Sequence, residues 1–248
     1  MSRLVRRSQP MYHADPSVVT VVEELTASLR IAGIADPRRV ATDIVASLLE
    51  VPRSWPLVNR DASVDRRIAE LARESAKKIS KGAPFAYAVG TAPFRHLSLA
   101  VDERVLIPRP ETEVLVGEVI GAMKQLFGEA KSWGTAIDLG TGSGAIALAL
   151  ASEGSFEKVI ATDASLDALD VAAVNADRVK DQLHSEVEFR RGSLLTPVRN
   201  VKAAVIASNP PYIAFSETDP LPASVRDWQP PLPLFTGHDR MRDTAGLV

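Results

Sequence analysis

Apolar residues recur at helical spacing through the first third of the chain, then give way to short runs bounded by glycine and proline. Val18, Val21, Val22, Leu25 and Leu29 fall on one stripe. Asp36-Pro37 offers a cap followed by proline in a first turn, and Val40, Ala41, Ile44, Val45, Leu48 and Leu49 form a second stripe. Past the broken stretch 52–62, Val64, Ile68, Leu71, Ala72 and Ile79 predict a third helix. Three such helices over 18–81 make a small bundle, suited to docking and too short for chemistry of its own.

The period shortens between Pro84 and Ile107. Residues 87–89, 97–101 and 105–107 predict short strands separated by Gly90 and by Asp102-Glu103. Arg109-Pro110 closes this segment, and 111–127 predicts a helix whose apolar side includes Val114, Leu115 and Leu126. Strands at 135–139, 158–162, 187–190 and 203–207 then alternate with helices at 145–151 and around Leu166, Leu169, Ala172, Ala173 and Ala176. Strand–helix alternation at this pitch predicts an α/β fold with a mostly parallel, Rossmann-like sheet and helices on both faces. The expected organisation is a helical domain over 1–83, a linking hairpin over 84–110 and a sheet domain over 111–248.

With 248 residues, 46% of them apolar, the chain can bury one α/β core and a small companion. No run approaches the ~18 apolar residues of a membrane span. The basic start Met1-Ser2-Arg3-Leu4-Val5-Arg6-Arg7 lacks the apolar stretch of a secretory signal, so a cytoplasmic protein is expected. Lysine and arginine number 29 against 31 acidic residues, which argues against a dominant nucleic-acid footprint. The absence of cysteine excludes disulfides and thiolate chemistry. His13, His96, His184 and His238 stand far apart without ligand spacing, and no metal is expected.

Two motifs carry candidate chemistry. Asp138-Leu139-Gly140-Thr141-Gly142-Ser143-Gly144 sits where the first strand of the sheet meets its helix. Its glycines let the backbone pass close to a ligand. A carboxylate at the strand end would repel a pyrophosphate but attract a cationic group. Asp163 ends the next strand, where a ribose diol would bind. The set fits an adenosine cofactor without phosphates and with an amino-acid tail, hence S-adenosylmethionine. The plainer reading is an ordinary strand–helix turn with Asp163 as a helix cap.

The second motif is Asn209-Pro210-Pro211-Tyr212, directly after the apolar run 203–207. Two prolines stop the strand and hold the Asn209 amide and the neighbouring carbonyls in a fixed array. The Asn209 side-chain carbonyl and the Pro210 backbone carbonyl would accept hydrogen bonds from a planar NH₂, orienting a nitrogen whose lone pair is delocalised. Tyr212 would pack against the flat group and limit water entry. Alternatively, the four residues form a rigid turn after an internal strand.

The chain resembles the protein-(glutamine-N5) methyltransferases that modify the glutamine of the Gly-Gly-Gln motif in peptide chain release factors. The resemblance runs from about Leu25 to about Asp239. It is carried by Pro84, Tyr87, Gly90 and Phe94; by Val105-Leu106-Ile107-Pro108-Arg109-Pro110-Glu111-Thr112-Glu113; by the Asp138–Gly144 loop; by Asp163, Ser165, Ala168, Leu169 and Asn175; and by Asn209 to Ile213. It implies that the helical domain contacts the release factor. It further implies that Arg109, Asp138, Gly140, Thr141, Gly142, Gly144, Asp163, Ser193 and Asn209 surround S-adenosylmethionine, and that Asn209, Pro210, Pro211 and Tyr212 hold the substrate glutamine.

The chain departs from that family's pattern in three places. Ser193 follows Gly192 where an acidic residue is usual, Gln229-Pro230 replaces Glu-Pro, and Gly237-His238-Asp239-Arg240 replaces a Gly-x-Asp-Gly turn. The family fold also continues with a helix, a fifth strand and an antiparallel pair, for which 241–248 has no room. An exposed sheet edge, open to a partner or to self-association, is the expectation. Two further readings stay open: a protein-binding remnant of such an enzyme, and an adenine-N6 methyltransferase, since Asn-Pro-Pro-Tyr is shared with amino-directed enzymes.

Overall fold

The computed structural model describes residues 14–128, 130–210, 213–214, 228 and 235–236, and the chain divides into two compact units between Lys81 and Gly82. In the first unit, α1 (Val18–Ile31) starts at Ser17, whose hydroxyl accepts from the Thr20 amide, and buries the expected stripe from Val18 to Leu29. Helix α2 (Pro37–Leu48) buries Ala41, Ile44 and Val45; Asp36 stands at its N-cap, but its side chain makes no capping bond. The stretch read as broken holds a short helix, α3 (Trp55–Val58). Helix α4 (Arg66–Ser80) packs through Ala69, Ala72, Ser75 and Ala76, while Leu71 is 40% exposed. Of the predicted third stripe, Val64 and Ala72 are buried, Ile68 and Ile79 are partly buried, and Leu71 turns outward. The bulky side chains of α1 and α2 fill the bundle, and α4 approaches on its small-residue face.

The second unit opens with a correction. Residues 87–89, expected as a strand, lie in helix α5 (Phe85–Val89), which starts after Pro84 and stops at Gly90 with φ 80°. The hairpin forms instead from β1 (Thr91–Phe94) and β2 (Leu97–Ala100), paired antiparallel from Thr91↔Ala100 to Phe94↔Leu97. Pro93 masks β1 in the sequence, yet a two-stranded hairpin tolerates it at an edge. Residues 105–107 join no strand, and the Val105 carbonyl accepts from the buried Tyr87 hydroxyl at 2.5 Å. Arg95, in the hairpin turn, pairs with Glu153 and donates to the Glu113 carbonyl at 2.9 Å, tying the turn to the two helices that carry those residues.

Helix α6 (Pro110–Phe127) follows, with Pro110 in its first turn. It buries Val116, Val119, Ile120 and Met123, and it leaves Val114 and Leu126 exposed. Its apolar residues circle much of the helix, so the sequence did not fix which side faces inward. The sheet consists of β3 (Thr135–Leu139), β4 (Lys158–Asp163), β5 (Glu186–Arg191) and β6 (Val205–Ser208), all parallel in the order β5-β4-β3-β6. Between them run α7 (Ala145–Glu153) and α8 (Leu166–Arg178).

Alternation sorts the strand residues between two faces. Ala136, Val159, Ala161 and Ala207 pack with α6 and with α7, which is buried on all sides. Ile137, Leu139 and Ile160 face the other way, onto Val198, Leu195 and Val201. Among the described residues the segment 195–203, with a 3₁₀ turn at Thr196–Val198, packs on that second face. A further pair, β7 (Ile213–Ala214) and β8 (Phe235–Thr236), runs parallel. Pro211, Tyr212, Gln229-Pro230 and everything expected beyond Thr236 lie outside the described residues. No helix among the described residues is long and apolar enough to cross a membrane.

Candidate active site

The chain winds outward from β3 through β4 to β5, then returns to place β6 on the other flank of β3. At such a reversal the loops after the two neighbouring strands diverge and leave a crevice at their carboxyl ends. Both motifs open there. The register pairs Leu139 with Ser208, and the Ser208 hydroxyl donates to the Leu139 carbonyl at 3.0 Å. Gly140 and Asn209 therefore leave adjacent strands at one level.

Asp138 is fully buried, flanked by Ala161 and Ala207 on the adjacent strands. Its Oδ2 accepts from the Thr141 hydroxyl at 2.6 Å and from the Ala147 amide, in the first turn of α7, at 3.1 Å. Oδ1 is equally buried and has no hydrogen-bond partner. Burial pushes this carboxyl up to about 7, against the pull of the Thr141 hydroxyl and the Ala147 amide. An unpaired oxygen of this kind suits a donor or cation entering the loop.

The folded-state value lies above the ordinary one, so the contribution of Asp138 to stability is full below about pH 4 and is lost as pH rises through about 7. Asp138→Asn removes the titration. The melting temperature of the wild type is expected to fall relative to that of Asp138→Asn between pH 5 and pH 8. A difference that stays flat across this range would show that Asp138 is already ionised in the folded protein at pH 5.

The loop is held by its backbone. The amides of Gly140 and Thr141 both donate to the Thr162 carbonyl at 2.9 Å. Gly140 and Gly142 have φ of 73° and 55°, and a side chain there would meet nothing within 4 Å. Their conformations demand glycine, and the space over them is open. Gly144 differs: with φ 83°, an added Cβ would lie 3.2 Å from the Ala172 Cβ and the Leu148 Cδ1. Its lack of a side chain lets the start of α7 pack against α8.

Asp163, expected to bind a ligand diol, is engaged at both oxygens. Oδ2 accepts from the Gly142 amide and Oδ1 from the Ser165 amide, each at 2.9 Å. It thus links the glycine loop to the start of α8, while the helix cap itself is Ser165, which accepts from Ala168. The carboxylate is half-exposed and keeps lone pairs for a ligand hydroxyl. Gly192 donates to the Asp163 carbonyl at 2.9 Å, and Ser193, the next residue, is exposed. Arg109 stands at the N-cap of α6.

The Asn209 Nδ2 donates to the Thr112 hydroxyl, in the first turn of α6, at 3.1 Å. Thr112 belongs to the stretch 105–113 that carries the resemblance, but nothing in the sequence marks this link across 97 positions. Asn175 was missed in the same way. It is fully buried on α8, accepts from the Ala100 amide at 2.6 Å, and donates to the Ala100 and Ser143 carbonyls, each at 2.9 Å. A fully buried asparagine amid the apolar spacing of α8 was the signal available.

The arrangement fits an adenosine-type cofactor with a cationic tail. A glycine cradle opens over Gly140 and Gly142, an unpaired buried carboxylate oxygen lies beneath it, and a second carboxylate stands at the next strand end.

Residues 20–90 match the PrmC N-terminal domain, and residues 122–222 match the Methyltransferase small domain. The chain is 37% identical to the release factor glutamine methyltransferase of Rhodopirellula baltica over 94% of this chain and 78% of that one. It is 42% identical to the Lactococcus lactis protein of the same name over 73% of this chain and 63% of that one. Among solved structures, the catalytic domain of hMettl16 in complex with a MAT2A 3′UTR hairpin aligns with TM-score 0.47 and 17% identity over 82% of this chain and 70% of that one.

Proposed function

Because the chain belongs to the release factor glutamine methyltransferase family, we propose that it transfers a methyl group from S-adenosylmethionine to the side-chain amide N5 of the glutamine in the Gly-Gly-Gln motif of peptide chain release factors. The observation that carries this reading is the meeting of the glycine loop after β3 and Asn209 after β6 at one level of adjacent parallel strands.

When bound, the cofactor supplies an electrophilic methyl on a sulfonium. The chain's own residues do the rest. Asp138 Oδ1 and the open backbone over Gly140 and Gly142 receive the amino-acid tail, and Asp163 receives the ribose. The Asn209 Oδ1 and the Pro210 carbonyl accept from the two hydrogens of the substrate NH₂. This holds the nitrogen plane still and favours the positive charge that develops on it. The remaining Asn209 N–H donates to the substrate carbonyl. No strong base is needed if the proton leaves after transfer. A cytoplasmic location, where release factors act, belongs to the same proposal, as does release-factor docking by the helical unit.

Incubating the protein with labelled S-adenosylmethionine tests this. Label should pass to a release factor carrying Gly-Gly-Gln and not to its Gly-Gly-Ala variant or to DNA. Transfer to adenine in DNA instead, or to neither substrate, would overturn the assignment.

A further inference from the structure

We propose that Thr112 is a positioning residue, whose hydroxyl fixes the amide plane of Asn209. The kinetic consequence rests on the methyl-transfer reading above; the structural link does not. Asn209 follows β6 and precedes Pro210, so its backbone is restricted by the strand on one side and by the proline on the other. Its side chain still rotates about two bonds unless something holds it. The one hydrogen bond that its amide makes among the described residues is to the Thr112 hydroxyl, at 3.1 Å.

Thr112 is well suited to hold it. It is 7% exposed, so water competes poorly for its hydroxyl. Its own backbone is set in the first turn of α6, where Pro110 fixes the entry and the Thr112 amide donates to the Arg109 carbonyl at 3.0 Å. The hydroxyl oxygen takes one of the two Nδ2 hydrogens. That leaves Asn209 with one donor and one acceptor, which is the complement of a substrate primary amide. The Thr112 bond uses Nδ2 alone, and Oδ1 is the acceptor assigned above to the substrate nitrogen. Thr112 thus sets the orientation of the hydrogen bonds without touching the substrate.

The test compares Thr112→Val, which keeps the shape and loses the hydroxyl, with Thr112→Ser, which keeps the hydroxyl. For a Gly-Gly-Gln release factor, Thr112→Val should lower kcat by about 10- to 100-fold, as expected for loss of orientation. KM and the affinity for S-adenosylhomocysteine should move by less than about twofold, and Thr112→Ser should stay within about threefold of wild type. Independently of activity, the Asn209 side-chain NH₂ pair, assigned by its loss in Asn209→Ala, should shift and exchange faster with solvent in Thr112→Val. In Thr112→Ser it should be retained. An unchanged kcat in Thr112→Val, an equal loss in both variants, or an unmoved NH₂ pair would overturn the proposal. If the wild type methylates no glutamine at all, the functional reading falls, and the NH₂ spectra still decide the Thr112–Asn209 link.

Discussion

Replacing Asn209 by alanine lowers methyl transfer to a Gly-Gly-Gln release factor by about a thousandfold, the scale of removing a preorganised polar group from the reacting atoms. Affinity for S-adenosylmethionine changes little. The two effects separate because Asn209 leaves β6, whereas the cofactor features belong to the loop after β3 and to the end of β4. Asn209 gives its one described hydrogen bond to Thr112, so the variant also loses about 1 kcal/mol of stability, too little to unfold the domain. Single-turnover transfer and calorimetric titration with S-adenosylhomocysteine measure the two quantities. A parallel collapse of cofactor binding would move Asn209 from the substrate to the cofactor.

Asn175→Ala gives the largest expected loss of stability, about 3 kcal/mol, because it strands the part-buried Ala100 amide and carbonyl and the buried Ser143 carbonyl together. Asn175→Asp does no better, since a carboxylate facing two carbonyls offers acceptors where donors are needed. The damage also reaches the site. Asn175 joins β2 of the hairpin to the glycine loop, and freeing Ser143 loosens the segment between Gly142 and Gly144. Denaturant midpoints report the first effect, and hydrogen exchange at the Gly142 and Gly144 amides, which donate to Asp163 and to the Thr141 carbonyl, reports the second. A loss below about 1 kcal/mol would mean that water replaces the side chain at no great cost.

Much of this site could be read from the sequence because its parts are local. The glycine loop, Asp163 and the Asn209 strand end each declare themselves within a few residues, and alternation of strand and helix sets them on one parallel sheet. Non-local pairings could not be read. Nothing in a run of residues reveals that Asn209 reaches Thr112, or that Asn175 grips Ala100. The same limit explains the misread elements. Residues 87–89 have strand-like side chains, yet Pro84 and Gly90 enclose a single helical turn. In α6 several apolar stripes compete, and only the neighbours choose between them. Asp138 is instructive in another way: its strand-end position suggested a ligand contact, and the fold adds that one of its oxygens already caps α7.

The alignment of β6 beside β3 bears on how such a chain can change over evolutionary time. Each residue of a strand advances about 3.3 Å and turns its side chain to the opposite face. Point substitutions within 205–208 alter packing while Asn209 stays level with Gly140. Gaining or losing one codon there lifts the amide away from its counterpart, or turns it to the wrong side, at a single stroke. Divergence in this stretch is therefore open to exchange of residues and closed to changes of length.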